Sequence, residues 1–354
     1  MLKTEYKRIV VKIGSSLIYT KNSKIDYAFF KALSEQVYAL IKAKKEIILV
    51  SSGAIALGMS ILRMASRPKD LSTLQATAAI GQHALMQLYQ RFFKDKGLNC
   101  AQLLLTWEDF DNRKRYLNAK NTLLTLFKLG AIPIINENDT VSTEEIKFGD
   151  NDRLCALVAN LISADLLIIL SDVDGLLDKD KKIIRQVNQI TPFIKSLCRP
   201  TNKKTCIGGM VTKIEAANIT TDAGIPCLIA NGRYKDIIIL ATKEPESVLG
   251  TLFLPKKTPL TGFKRWLAFG AKPKGKIIVD EGAKNALLNK KSLLSVGIVA
   301  CEGNFEAGDV VSVFDKQSQE FARGKISVSS KNLEKVKGRR FDKEIIHCDN
   351  LVIL

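Results

Sequence analysis

Between residues 8 and 230 the chain repeats one pattern that leaves it few folds to choose from. A short run that is apolar nearly throughout ends in a polar turn and is followed by a segment with apolar residues at helical spacing. The runs are Arg8–Ile13, Glu46–Val50, Ala101–Thr106, Ile132–Ile135, Leu166–Leu170 and Cys227–Ala230. The helical stretches are Asp26–Ala43, Leu74–Phe93, Tyr116–Leu129, Asp150–Ile162 and Val211–Ala223. A strand without a polar face has to be covered on both sides, so the pattern predicts an α/β domain of three layers, with helices on both faces of a mainly parallel sheet. Right-handed crossovers make this the economical topology.

Ligands of such sheets bind beyond the carboxyl ends of the strands. Here those ends are polar: Lys12 with Gly14-Ser15-Ser16, Ser51-Ser52-Gly53, Asn136-Glu137-Asn138-Asp139 and Ser171-Asp172. A second acidic cluster, Gly149-Asp150-Asn151-Asp152, opens a helix, and Gly208-Gly209-Met210 opens another that carries Lys213. Glycine turns let backbone N–H groups approach a phosphate, and a lysine adds charge. The Gly-x-x-x-x-Gly-Lys-Ser/Thr order of a Walker loop is missing. Asp139, Asp150 and Asp152 also read as turn residues and helix caps. Carboxylates among lysines can hold a substrate ammonium or meet Mg²⁺ through water while the lysines neutralise a phosphoryl group in flight, which points to phosphoryl transfer.

The rest of the composition narrows the chemistry. Two histidines, His83 and His347, argue against a histidine-built metal site or a Ser-His-Asp relay. Seven scattered cysteines in no Cys-x-x-Cys spacing read as reduced thiols. No apolar run approaches the ~20 residues of a membrane helix and the N-terminus enters a strand directly, so the expected location is cytoplasmic. The formal charge of +18, denser toward the C-terminus, suits either a lysine-rich solvated surface or a polyanionic partner. After Phe253 the pattern changes. Residues 254–273 carry prolines and basic residues around Trp266 and read as a linker between a domain at 1–253 and one at 274–354. The second domain is expected to be small and mostly β, with strands at Lys276–Val279, Gly297–Cys301 and Val310–Phe314 and a helix near Gly282–Leu288.

Taken in order, Lys12-Ile13-Gly14-Ser15-Ser16, Ser51-Ser52-Gly53-Ala54-Ile55, Tyr116-Leu117-Asn118-Ala119, Asn136-Glu137-Asn138-Asp139, Gly149-Asp150-Asn151-Asp152 and Gly208-Gly209-Met210-x-x-Lys213 resemble the glutamate 5-kinases, enzymes of the amino-acid-kinase fold. The C-terminal part resembles the β-barrel-like PUA domain that many bacterial members carry. The resemblance implies ATP-dependent, Mg²⁺-assisted phosphorylation of the glutamate side-chain carboxylate, the first step of proline biosynthesis. It assigns catalysis to Lys12, Lys213 and Asp150, with Asp150 orienting the lysines or a metal. Ser52, Asp139 and Asn151 hold glutamate. Lys12, Ser171, Asp172, Ile207, Gly208, Gly209, Met210, Val211, Thr212 and Lys213 bind ATP. Asp150 and Asp152 are the candidates for indirect contact with the metal. Feedback inhibition by proline and a homodimer or homotetramer are further implications.

One departure stands out in the nucleotide loop. Members commonly carry Gly-Thr-Gly-Gly-Met where this chain reads Thr205-Cys206-Ile207-Gly208-Gly209-Met210. A β-branched Ile207 resists positive φ, so weaker ATP binding is expected, with Ile207→Thr as the comparison. Two rival readings remain open at this level. One is an RNA-binding or regulatory protein that works through its basic PUA-like part. The other is a kinase of the same fold acting on another acidic amino acid.

Overall fold

A computed structural model describes residues 5–20, 24–142, 151–198, 209–257, 259–260 and 262–354. Asp150, Ile207 and Gly208 therefore lie outside the described residues. The chain forms two compact units, one of residues 1–109 and 114–259, the other of 110–113 and 260–354. The stretch 254–273 thus divides between them at 259/260. No helix among the described residues is long and apolar enough to cross a membrane.

The first unit is built on an eight-stranded sheet: β1 (Arg8–Ile13), β2 (Glu46–Ser51), β3 (Asn99–Leu105), β4 (Ala131–Glu137), β5 (Leu166–Ser171), β6 (Gln186–Val187), β7 (Cys227–Asn231) and β8 (Gly250–Phe253). The spatial order is β3-β4-β2-β1-β5-β7-β8-β6. Strands β1 to β5 and β7 run parallel, and β8 runs antiparallel to β7. Every residue of β5 is buried, as a strand covered on both faces requires. Strand β1 lies between β2 and β5, where the order of the sheet reverses, and Lys12 near its end is in register with Val50 on one side and Ile169 on the other. That reversal opens the crevice in which doubly wound sheets bind ligands.

Two helices, Ala54–Ile61 and Leu71–Lys94, bring their side of the crevice close. The longer is capped by Asp70, whose side chain accepts from the Thr73 N–H at 2.8 Å. They cross through glycines: a Cβ on Gly81 would sit 1.7 Å from the Ala54 carbonyl oxygen, and one on Gly58 1.9 Å from that of Thr77. Only bare backbone permits this approach. Gly81→Ala is expected to destabilise the unit by about 2–3 kcal/mol, read as a lower urea midpoint with an unchanged slope, because the clash is with a carbonyl group and not with a side chain that can turn away.

The second unit carries a five-stranded sheet of β9 (Gly275–Val279), β10 (Ile298–Gly303), β11 (Val310–Phe314), β12 (Glu320–Lys325) and β13 (Leu351–Ile353), in the order β10-β9-β11-β12-β13. All neighbours are antiparallel except β9 and β11. Its own core includes Ile277, Val279, Phe305, Val311 and Leu333, and the helix Glu281–Leu288 packs on it through Leu287. The Trp266 indole donates to the Phe110 carbonyl at 2.8 Å, which ties residues 110–113 into this unit.

Candidate active site

The carboxyl ends of β1, β2 and β5 are laced together by main-chain bonds. Gly14 N–H donates to the Leu170 carbonyl at 2.9 Å, and Ser52 N–H to that of Ile13 at 3.1 Å. Gly53 turns the chain into its helix with φ of 108°, where a Cβ would also stand 2.4 Å from the Ile18 side chain. The Gly14–Ser16 turn is held from two further directions. Ser16 Oγ donates to Asp172 at 3.2 Å, and Arg233, ion-paired with Asp26 at 2.5 Å, donates to the Ser16 and Tyr19 carbonyls.

The helix Asn151–Ile162 points its first turn into this crevice and supplies two consecutive side chains that face different neighbours. Asn151 Nδ2 lies 2.7 Å from both the Ser51 carbonyl and Asn136 Oδ1, and 3.1 Å from Ser52 Oγ. Asp152 is fully buried. One of its carboxylate oxygens meets Lys12 Nζ at 2.6 Å, and the other accepts from Lys213 Nζ and from Thr212 Oγ1, both at 2.9 Å. Lys12 is 5% exposed and Lys213 8%. Burial alone would raise the Asp152 pKa, but the two ammonium groups outweigh it and hold the carboxyl well below its usual range. Two cations around one anion leave these three side chains at +1, in a pocket of low dielectric constant where that charge acts strongly on an incoming anion.

Lys213 stands in the first turn of the helix Met210–Asp222, whose N-cap Gly209 provides no side-chain bond. Free N–H groups at a helix start beside two lysines fit a phosphate chain. Val211 is exposed and Met210 partly buried. On the other side of the crevice Ser171 ends β5, where its hydroxyl accepts from the Val173 N–H at 3.3 Å. Asp139 sits in the turn after β4. Burial pushes its carboxyl up to about 6 against the lowering effect of the Arg67 guanidinium.

Lys12, Lys213, Thr212, Asp152, Asn151 and Ser52 are therefore linked by contacts in one crevice, and Asp172 is joined to it through Ser16. Asp139 flanks the crevice from the turn after β4, facing the Arg67 guanidinium. The resemblance assigns the orienting of the lysines or a metal to Asp150, which lies outside the described residues, and gives Asp152 indirect contact with the metal beside its reading as a helix cap. In the structure Asp152 holds both lysines directly. The sequence signal is that Asp152 sits in the first turn of a helix that turns largely apolar after Arg153. Asn136, from the polar Asn136–Asp139 cluster at the end of β4, relays between Asn151 and Gln82.

With both Asp152 oxygens engaged by ammonium groups, this carboxylate has none to spare for a metal. Among the described residues the only cluster of three or more metal-ligating side chains is His347-Cys348-Asp349 in the other unit. The crevice thus fits a cation that arrives on a ligand's phosphates and touches the protein through water.

Residues 7–231 match the amino acid kinase family, and residues 275–348 match the PUA domain. The chain is 46% identical over 366 residues to the glutamate 5-kinase of Caldanaerobacter subterraneus subsp. tengcongensis, with 98% of each chain covered. It is 44% identical over 365 residues to that of Thermoanaerobacter pseudethanolicus, again with 98% of each. Against that of Methylococcus capsulatus the identity is 42% over 367 residues, covering 98% of this chain and 97% of the relative.

Proposed function

Because the chain belongs to the glutamate 5-kinase branch of the amino acid kinase family, we propose that it transfers the γ-phosphoryl group of ATP to the side-chain carboxylate of L-glutamate. The observation that carries this reading is the buried Lys12–Asp152–Lys213 cluster beside the Asn151–Ser52 contacts, which puts an electropositive centre next to a site of amides and hydroxyls. In the reaction a carboxylate oxygen forms the new bond to phosphorus, and the bond from phosphorus to the bridging oxygen breaks, its electron pair leaving with ADP. No proton has to move. A carboxylate of pKa about 4.3 is already ionised at neutral pH, so the protein supplies alignment and charge neutralisation.

Lys12 and Lys213 sit to neutralise the phosphoryl oxygens, with Asp152 holding both ammonium groups in place. The free N–H groups from Gly209 onward, with Ser171 and Asp172, fit the nucleotide. Bound Mg²⁺ would neutralise phosphate charge. Ser52 and Asn151 hold the amino acid, and Asp139 takes its ammonium group. Exposed Ile61 and Ile80 on the paired helices, with Leu62 just past the first, support self-association of the chain.

Incubation with ATP, Mg²⁺ and glutamate, with hydroxylamine to trap the acyl phosphate, tests the reading directly. Glutamate-dependent ADP release with hydroxamate formation is expected. Failure to see either, or a preference for aspartate, would remove it.

The Asp139 assignment predicts a pH dependence. Its carboxyl, raised to about 6, takes up a proton as pH falls through that value and loses its attraction for the substrate ammonium. The KM for glutamate is expected to rise by up to about tenfold per pH unit below 6, with kcat much less affected. A glutamate KM that is flat between pH 5 and 8 would count against Asp139 as the ammonium partner.

A further inference from the structure

Gln82 lies on the face of the helix Leu71–Lys94 that buries Leu74, Ala78, Gly81 and Leu85, and it is itself 9% exposed. Its Oε1 accepts from Asn136 Nδ2 at 2.7 Å. The orientation of these amides is fixed by groups whose polarity cannot change. Asn151 Nδ2 faces the Ser51 carbonyl, which only accepts, and Asn136 Oδ1 accepts from the Glu137 backbone N–H at 2.9 Å, which only donates. Asn136 must then present its Nδ2 to Gln82, and Gln82 must answer with its oxygen.

Gln82 Nε2 is consequently left buried with no hydrogen-bond partner among the described residues. A buried donor without an acceptor weakens a fold, and methionine of similar volume would remove it only by orphaning Asn136 Nδ2 instead, so what this position has to provide is the acceptor. What glutamine supplies is an acceptor without charge. A glutamate would give Asn136 the same oxygen and remove the orphaned donor, but it would place a second anion beside a site that receives an anionic substrate.

We propose that Gln82 is a positioning residue of the amino-acid site: it fixes the relay from Asn136 through Asn151 to Ser52 with a neutral acceptor and so keeps that wall of the pocket free of negative charge. The proposal rests on the reading of the crevice as a glutamate site. It is tested on the full chain with Gln82→Met and Gln82→Glu, measuring KM for glutamate and for ATP, kcat and thermal midpoint at pH 6 and pH 8.5.

Gln82→Met, which removes the acceptor, is expected to raise glutamate KM at least about tenfold at both pH values with ATP KM within about twofold and little change of thermal midpoint, because one orphaned donor replaces another. Gln82→Glu is expected to raise glutamate KM more at pH 8.5 than at pH 6, each relative to wild type at the same pH, because the protonated carboxyl restores a neutral acceptor. The proposal is overturned if both variants keep glutamate KM within about twofold of wild type, or if ATP KM and glutamate KM rise together as the thermal midpoint falls. A wild type that makes no acyl phosphate from glutamate removes the reading and the proposal together. An active wild type with unaffected variants removes the proposal alone.

Discussion

Asp152→Ala is expected to lower kcat by about a thousandfold, with the KM for glutamate changed far less. The carboxylate contacts Lys12 on one oxygen and Lys213 on the other, so its removal frees both ammonium groups at once. Each would turn toward water or a main-chain carbonyl, and neither would be pre-aligned on the phosphoryl oxygens when charge develops there. Stability should fall as well, by about 3–5 kcal/mol, because breaking a buried ion pair leaves charge uncompensated in the interior. Asp152→Asn should lose nearly as much activity, since it keeps the shape but gives up the anion and presents a donor to one of two donors. A kcat within tenfold of wild type for either variant would show that the lysines are positioned by something else. The pKa of Asp152 is held below its unfolded value, so its stabilising contribution is complete above about pH 4 and is lost only in strong acid as pH falls through the folded-state value. The acid limb of the activity profile should accordingly come from Asp139 and not from Asp152.

Lys213→Ala is expected to lower kcat by about a hundredfold to a thousandfold, with a smaller loss of stability because Asp152 keeps Lys12 and the Thr212 hydroxyl. The instructive comparison is Lys213→Arg. A guanidinium preserves the charge, yet it is planar and larger, and Lys213 is almost fully buried with its Nζ seated 2.9 Å from a carboxylate. Arginine should therefore rescue little of the rate. Single-turnover phosphoryl transfer measured on both variants separates a chemical defect from slow product release. Equal single-turnover rates for wild type and Lys213→Ala would rule Lys213 out of the transferring step.

The parallel core was legible because burial on both faces writes itself into composition: Leu166–Ser171 is apolar until its last residue, and the strand ends at the first polar one. The edge strands were not. Gln186–Val187 has two residues and no period to read, and Gly250–Phe253 is a strand because β7 offers it an unpaired edge. In the second unit Glu320–Lys325 alternates too weakly, with Gly324 in it, to stand out from the turns around it. Site residues at strand ends were legible for the same reason as the strands, since a lysine or aspartate that interrupts an apolar run needs a purpose. Gln82 was harder, because one amide on an apolar helical face reads as an imperfection in the stripe until Asn136 is placed opposite it. Partners such as Arg233 and Asp26 are 207 positions apart, a distance over which local pattern carries no information.

Asn151 and Asp152 are consecutive residues at one helix start, and in the proposed reaction they serve its two ends. Their backbones share a peptide plane, so a displacement of one is a displacement of the other. The pocket for the acceptor and the pocket for the donor are in this sense a single mechanical part. Ordering either end would lower the entropy still to be lost at the other, and on the proposed reading the two ligands would then be mutual effectors. By thermodynamic reciprocity, whatever factor glutamate exerts on nucleotide affinity, the nucleotide must exert on glutamate.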